Sequence, residues 1–291
     1  MAKYSFSGHE TFYCRHYWLK KGIDFVQNEG KFTNKQAIVD LGVGKNMVAS
    51  IRFWLKAFDL IEETNGKGTV KDITKKIFSD HGYDPYVENI GTLWLLHYLL
   101  VKTEKASLYS LVFNEFRRTR IEFTNEHLLR FIIKKCSLDK YSYNENSIKR
   151  DISVFSHNYV SSSRSNSIED NFSGLLTELG IVEKLGKIGK EREKWYRIEN
   201  TEREDLSELI VLYVILDNPK YGNSIRFDEL LTDHGSVGSI FALNATGLYN
   251  KIKAIQNHYP NIVYTDDGGI RLLQFKEKPS KEAVLLKYYQ V

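Results

Sequence analysis

The sequence predicts a mainly helical fold carrying small β-hairpins, and three observations lead there. Apolar residues recur at spacings of three and four over long stretches. Only four prolines interrupt 291 residues, which favours long helices and short connections. One pattern also occurs three times: a helical stretch followed by a hairpin with a glycine-containing tip, over 34–76, in the segment ending at 175–200, and over 245–275. A helix pair followed by a two-stranded wing is the winged-helix plan. The expected class is therefore mainly α with small β-hairpins, in tandem winged-helix-like units. The three segments share little identity, so they match as a pattern and not as an exact repeat.

Taken in order, the first element is "SGHETFYCRHYWLKKG" in the N-terminal twenty-two residues. Ser7 or Gly8 would start a turn and Glu10 would sit in the first turn of a helix running to Lys21. Phe12, Tyr13, His16, Trp18 and Leu19 would pack, and Arg15, Lys20 and Lys21 would reach solvent or phosphate. Next, Thr33 or Asn34 can cap a helix over 35–41, which Gly42 breaks. After the short turn Val43-Gly44, a second helix over 45–58 carries Met47, Val48, Ile51, Trp54, Leu55 and Phe58 on one face. Its other face carries Lys45, Asn46, Ser50, Arg52 and Lys56. The Asn65-Gly66 pair then signals a hairpin, with Lys67 at its tip and Lys71 and Lys75 beyond.

Helix, tight glycine turn, polar-fronted helix and basic hairpin form a DNA-reading arrangement. Asn46 suits adenine, Lys45 or Arg52 suits guanine or phosphate, and the wing lysines suit the adjacent backbone. Further along, 90–101 reads as a buried helix containing His97, too short to span a bilayer. Arg117, Arg118, Arg120, Lys149 and Arg150, with a second wing bearing Lys184, Lys187, Lys190, Arg192 and Lys194, would extend a backbone-binding surface. Glu191 and Glu193 dilute that wing. The run 161–166 reads as a loop, and Asp205 or Ser207 starts the next helix. "TDDGGI" is a turn, and the less basic third unit reads as a packing or dimerisation module, which allows a homodimer.

A length of 291 residues implies two or three domains, placed at 1–80, 81–200 and 201–291. The net charge of +4 permits nucleic-acid binding without demanding it. Two cysteines, Cys14 and Cys136, exclude a disulfide framework or a four-cysteine zinc site and suit a reduced compartment. With no apolar leader in "MAKYSFSGHE" and no membrane span, a cytoplasmic location is expected.

The chain contains no phosphate loop, HExxH, GxSxG or CxxC motif. His9, Glu10, Cys14 and His16 include zinc-ligand types, but their spacing fits no metal site, so none is assigned. His157-Asn158 reads as a helix C-terminus. No cofactor is expected, with Mg2+ entering only if His9, Glu10, Asp24 and Glu29 served a metal-dependent nickase.

The motif "FSGHETFYCRHYWLKKGID" and the later "LGVGKNMVASIRFWLKAFDLIE" resemble an uncharacterised prokaryotic domain family. Members open with a Gly-His-Glu-Thr-Phe run. The matching positions are Gly8, His9, Glu10, Thr11, Phe12, Arg15, Trp18, Leu19 and Lys20, then Gly42, Gly44, Lys45, Asn46 and Met47. The resemblance spans residues 6–275 and is strongest over the first 60. That family accompanies gene clusters for DNA phosphorothioate modification and antiphage defence, in which a related component nicks DNA.

The resemblance thus implies double-stranded DNA and other phosphorothioation or defence proteins as partners, without assigning a catalytic residue. The expected function is a double-stranded DNA-binding accessory component of such a system. A metal-dependent nickase, with His9 and Glu10 as the residues to alter first, and a winged-helix transcription regulator are the alternatives.

Overall fold

The protein is described here as a computed structural model covering residues 4–161, 173–186 and 194–290. It is mainly α-helical with small antiparallel sheets. Lys187, Lys190, Arg192 and all but the first residue of the 161–166 loop lie outside the described residues. The chain divides into two compact units, one of residues 1–112 and 116–198, the other of residues 113–115 and 199–291. The expected first and second domains fall almost wholly in the first unit.

Unit one begins with an irregular strap over residues 5–17, not with the expected helix from Ser7. The first helix, α1, covers Trp18–Gln27. The strap's backbone explains the difference. Ser7, Gly8, Glu10 and Thr11 all have positive φ, and the Ser7 and Cys14 N–H groups bond to side chains more than 140 residues away. Groups committed to such distant partners cannot serve an i→i−4 ladder.

Helix α2 (Ala37–Leu41) ends at Gly42 in the left-handed region, and α3 covers Lys45–Ala57. Burial of Val48, Ile51, Trp54 and Leu55 follows the expected stripe, which packs on α1. Strands β1 (Ile61–Thr64) and β2 (Lys67–Val70) pair across Asn65-Gly66, both at positive φ as a tight hairpin requires. Helix α4 follows directly at Asp72–Phe78, so Lys71 lies at its N-cap and Lys75 within it. Helix α5 (Ile90–Lys102) is buried almost throughout, including His97, and α6 covers Ser107–Leu111.

After a short turn α7 (Arg117–Thr119), strand β3 (Glu122–Thr124) leads into α8 (Asn125–Leu138) and α9 (Glu145–Tyr159). Strands β4 (Glu183–Leu185) and β5 (Trp195–Arg197) close a sheet in the order β3-β5-β4.

Unit two repeats that order of elements. Helix α10 (Glu208–Asp217) is capped by the Ser207 side chain, one of the two residues expected there. Then come β6 (Ser224–Arg226), α11 (Phe227–Thr232), α12 (Val237–Ile240) and α13 (Ala245–His258). Strands β7 (Ile262–Asp267) and β8 (Ile270–Phe275) meet at the expected Gly268-Gly269 turn, in the sheet order β6-β8-β7. The terminal helix α14 (Lys281–Gln290) and α13 pack on α10, whose faces are nearly all buried. Among the described residues no helix is long and apolar enough to cross a membrane.

Candidate nucleic-acid interface

The strap is anchored on α9. Asp151, buried, accepts the Ser7 N–H on both carboxylate oxygens at 2.9 Å and the His9 Nε2–H at 2.8 Å. The Thr11 N–H donates to His9 Nδ1 at 3.2 Å, so the network itself selects the Nε2–H tautomer. His9 also lies parallel to the Trp54 indole, with ring centroids 6.2 Å apart. At its penultimate position α9 presents Asn158, which accepts the Cys14 N–H and donates to the Tyr109 hydroxyl. Trp54 Nε1–H bonds the Phe12 carbonyl at 3.1 Å. The strap therefore ties α3, α6 and α9 together. Burial pushes the Cys14 thiol and the Tyr109 and Tyr159 hydroxyls above their ordinary pKa values, leaving these groups neutral.

His9 is thus a buried structural group and not an accessible ligand, whereas Glu10 is exposed at the strap's bend. His157 is exposed near the α9 C-terminus, where its ring stacks on Tyr13 and its Nδ1–H donates to the Ser153 carbonyl at 2.7 Å. Asp24 pairs with Lys20, and Glu29 lies 3.8 Å from Lys67. Among the described residues no three His, Cys, Asp or Glu side chains come together to hold a metal ion.

The expected DNA contacts fall into three groups. Lys45 and Asn46 are exposed in the first turn of α3. Gly44 precedes that turn with extended backbone, and no side chain caps its N–H groups. Exposed N–H groups and a positive helix end make this turn favourable to phosphate. Lys21 is exposed but bonds the Leu41 carbonyl, Arg15 lies over the Trp18 ring, and Lys67 projects from the hairpin tip.

A second group is engaged internally. Glu63 on β1 holds Arg52 through two hydrogen bonds of 3.0 and 2.5 Å and lies 3.4 Å from Lys56. The Arg52 hydrogen bonds, with smaller help from Lys56, hold its carboxyl below the usual range against the opposing effect of burial. Lys71 pairs with Asp59 and Glu62.

The third group differs from expectation. Lys20 is buried and bonded to Asp24 and Asp80, because its place on α1 faces the core and not solvent. Burial opposes its charge, and these two carboxylates outweigh that effect and raise its pKa. Ser50 is wholly buried and its hydroxyl finds no hydrogen-bond partner among the described residues. It sits one position from Ile51, on the rim of the apolar stripe. In the middle segment Arg117 is buried and does not extend a basic surface, while Arg118, Arg120 and Arg150 are exposed.

The sequence reading passed over Asp151, Glu63 and Lys105, and it placed Asn158 at a helix C-terminus without its hydrogen-bonding role. For the two on α9 a signal was present. Asp151 and Asn158 lie seven apart on the face marked by Ile148, Ile152 and Phe155, so both were bound to be inside. Glu63 and Lys105 carry no such local mark. Lys105 comes close only through folding, in a cleft of about 380 Å³ shared with Arg52, Phe53 and Lys56.

Two solved structures are similar over nearly the whole chain. A magnesium ion-bound SspB crystal structure shows 28% sequence identity and a TM-score of 0.89, covering 98% of this chain and 88% of that one. A second SspB crystal structure shows 27% identity and a TM-score of 0.85 with the same coverage. A comparison with curated proteins returned no significant match. The model of a family described as protein of unknown function (DUF4007) matches residues 6–289, and the chain belongs to that family.

Proposed function

We propose that the protein is a double-stranded DNA-binding component of a DNA phosphorothioation or antiphage-defence assembly. In this reading α2, α3 and the β1–β2 hairpin form a winged-helix reader. The recurring element orders ending in sheets β3-β5-β4 and β6-β8-β7 belong to further winged-helix-like units. The observation that carries the DNA reading is the first turn of α3, uncapped and exposed, with Lys45 and Asn46 at its surface. The charge distribution supports the same end of the chain. Residues 1–198 hold 31 Lys and Arg against 24 Asp and Glu, whereas residues 199–291 hold 10 against 13. The link to phosphorothioation rests on the resemblance of the Gly8–Phe12 opening and on the likeness to SspB.

Fluorescence anisotropy with a labelled duplex tests this reading. Affinity is expected to fall with salt, with a slope of about −0.9 per phosphate neutralised. Lys45→Glu is expected to weaken binding by about tenfold or more and to reduce the slope by roughly one. Absence of salt-dependent duplex binding by the wild-type protein refutes the reading.

A magnesium-dependent nickase is a second reading, favoured by the magnesium ion in the first SspB structure. The residues described here do not fit it in the form expected from sequence. His9 is sequestered on Asp151, and His9, Glu10, Asp24 and Glu29 form no ligand group. No step through the metal follows from this geometry. Incubation with supercoiled plasmid and Mg2+ checks it directly: open-circular product that is lost in Glu10→Gln supports nicking, and no product counts against it.

A further inference from the structure

The cleft of about 380 Å³ that contains Lys105 brings three cations and an aromatic ring together with no carboxylate in its lining. Gly8 of the strap forms one side, Ala49, Arg52, Phe53 and Lys56 of α3 form another, and Lys105, just before α6, closes it. Three cations thus line a single concavity. Glu63, the carboxylate that pairs with two of them, is not part of the lining. Arg52 uses Nε and Nη2 on Glu63, so Nη1 remains to donate. Lys56 is 3.4 Å from Glu63 and keeps further N–H donors. Among the described residues no carboxylate pairs with Lys105, which is exposed.

Phe53 supplies a second chemistry. Its ring is half-buried, edge-on to Trp54 and His9 at centroid distances of 5.1 and 5.6 Å. Gly8 lies so close that a Cβ there would stand 2.8 Å from Phe53 Cδ2. The phenyl group is therefore fixed by the strap while part of it still faces the cleft.

An anion beside a fixed aromatic surface describes a nucleotide. Phosphate oxygens accept from the guanidinium and ammonium groups, and a base makes apolar contact with the ring. The volume lies at the lower end of the range for small-ligand sites, enough for one nucleotide and not for a segment of duplex. Lys45, Ala49, Arg52 and Lys56 also lie at spacings of four, three and four along one face of α3. This face runs from the exposed first turn of that helix to the cleft.

We propose that the cleft holds a single nucleotide of a DNA strand, its phosphate on Arg52, Lys56 and Lys105 and its base against Phe53. The proposal rests on the DNA-binding reading given above. Its test uses the full chain and three probes: a labelled duplex, a 5′-phosphorylated single-stranded oligonucleotide and a deoxynucleoside monophosphate, followed by anisotropy or by Trp54 fluorescence. Lys105→Ala changes an exposed residue and leaves the fold intact. It is expected to weaken the single strand about tenfold, and Lys105→Arg to restore it. Phe53→Leu is expected to weaken the single strand about tenfold and the duplex less, because base stacking is lost.

Wild-type affinity in Lys105→Ala overturns the proposal, as does failure of the single strand to bind. If Lys45→Glu abolishes duplex binding while Lys105→Ala affects no probe, the cleft is refuted and the DNA reading stands. Binding of the monophosphate without either DNA probe overturns both and assigns the cleft to a free nucleotide.

Discussion

Replacing Asp151 by alanine should release the N-terminal strap. The carboxylate is buried and receives the Ser7 N–H on both oxygens and the His9 Nε2–H, at 2.8–2.9 Å. Hydrogen bonds to a charged group contribute about 1.5–3 kcal/mol each, and a buried donor left without a partner costs about 1–3 kcal/mol. Two donors, Ser7 N–H and His9 Nε2–H, lose their acceptor, so the expected loss is about 3–5 kcal/mol. In a unit of this size each kcal/mol lowers Tm by roughly 2–4 °C, giving a fall of about 6–20 °C by calorimetry. Asp151→Asn keeps one acceptor oxygen and should lose about half as much. Limited trypsin digestion provides the local readout, because cleavage after Arg15 should accelerate in Asp151→Ala before any other site. A variant that melts within about 1 °C of wild type, with Arg15 still protected, refutes the assignment of the strap to this anchor.

Four further outcomes follow from the same geometry. Gly8→Ala places a Cβ 2.8 Å from the Phe53 ring at a φ of +104° and should destabilise by about 1–3 kcal/mol in a denaturant titration. Ser50→Ala removes a buried hydroxyl without a partner; its Tm should stay level or rise, by up to about 1 kcal/mol of stability, with duplex affinity unchanged.

Glu63 has a folded pKa below its unfolded one, so its contribution is present above about pH 4.5 and is lost as pH falls through the lowered value. The Tm difference between wild type and Glu63→Gln should therefore vanish in that acid window, and a difference that persists below it contradicts the pairing. Cys14 and Cys136 are buried with thiols raised mainly by burial, so a thiol reagent should modify neither until denaturant is added.

Local pattern carried much of this fold. The α3 stripe, the left-handed Gly42, the Asn65-Gly66 hairpin and the Ser207 cap depend on neighbours within a few positions, and their chemistry is visible in a short window. The strap was misread as helix because its conformation is set by Asp151 and Asn158, whose effect no window around Ser7 contains. Lys20 shows the same limit at smaller scale. Asp24 is one helical turn away and readable, but Asp80 arrives from α4's far side, and only folding puts both on one ammonium. The residue count of basic side chains overstates free charge: Lys71 is matched by Asp59 and Glu62, while Arg52 and Lys56 share the single carboxylate of Glu63 and keep one net positive charge between them.

The strap also sets an order of events during synthesis. Ser7, His9 and Cys14 leave the ribosome first, yet the groups they bond to lie 142 to 144 residues later. At about 5–20 residues per second the strap waits roughly seven to thirty seconds for its anchor. During that interval α1 to α3 lack the clamp on Trp54 and the lid over Phe53. A chain cut near residue 80, the end of the expected first domain, would lack Asp151 and Asn158 and so remain in that unfinished state. Folding of α3 in its native setting therefore needs the chain through α9.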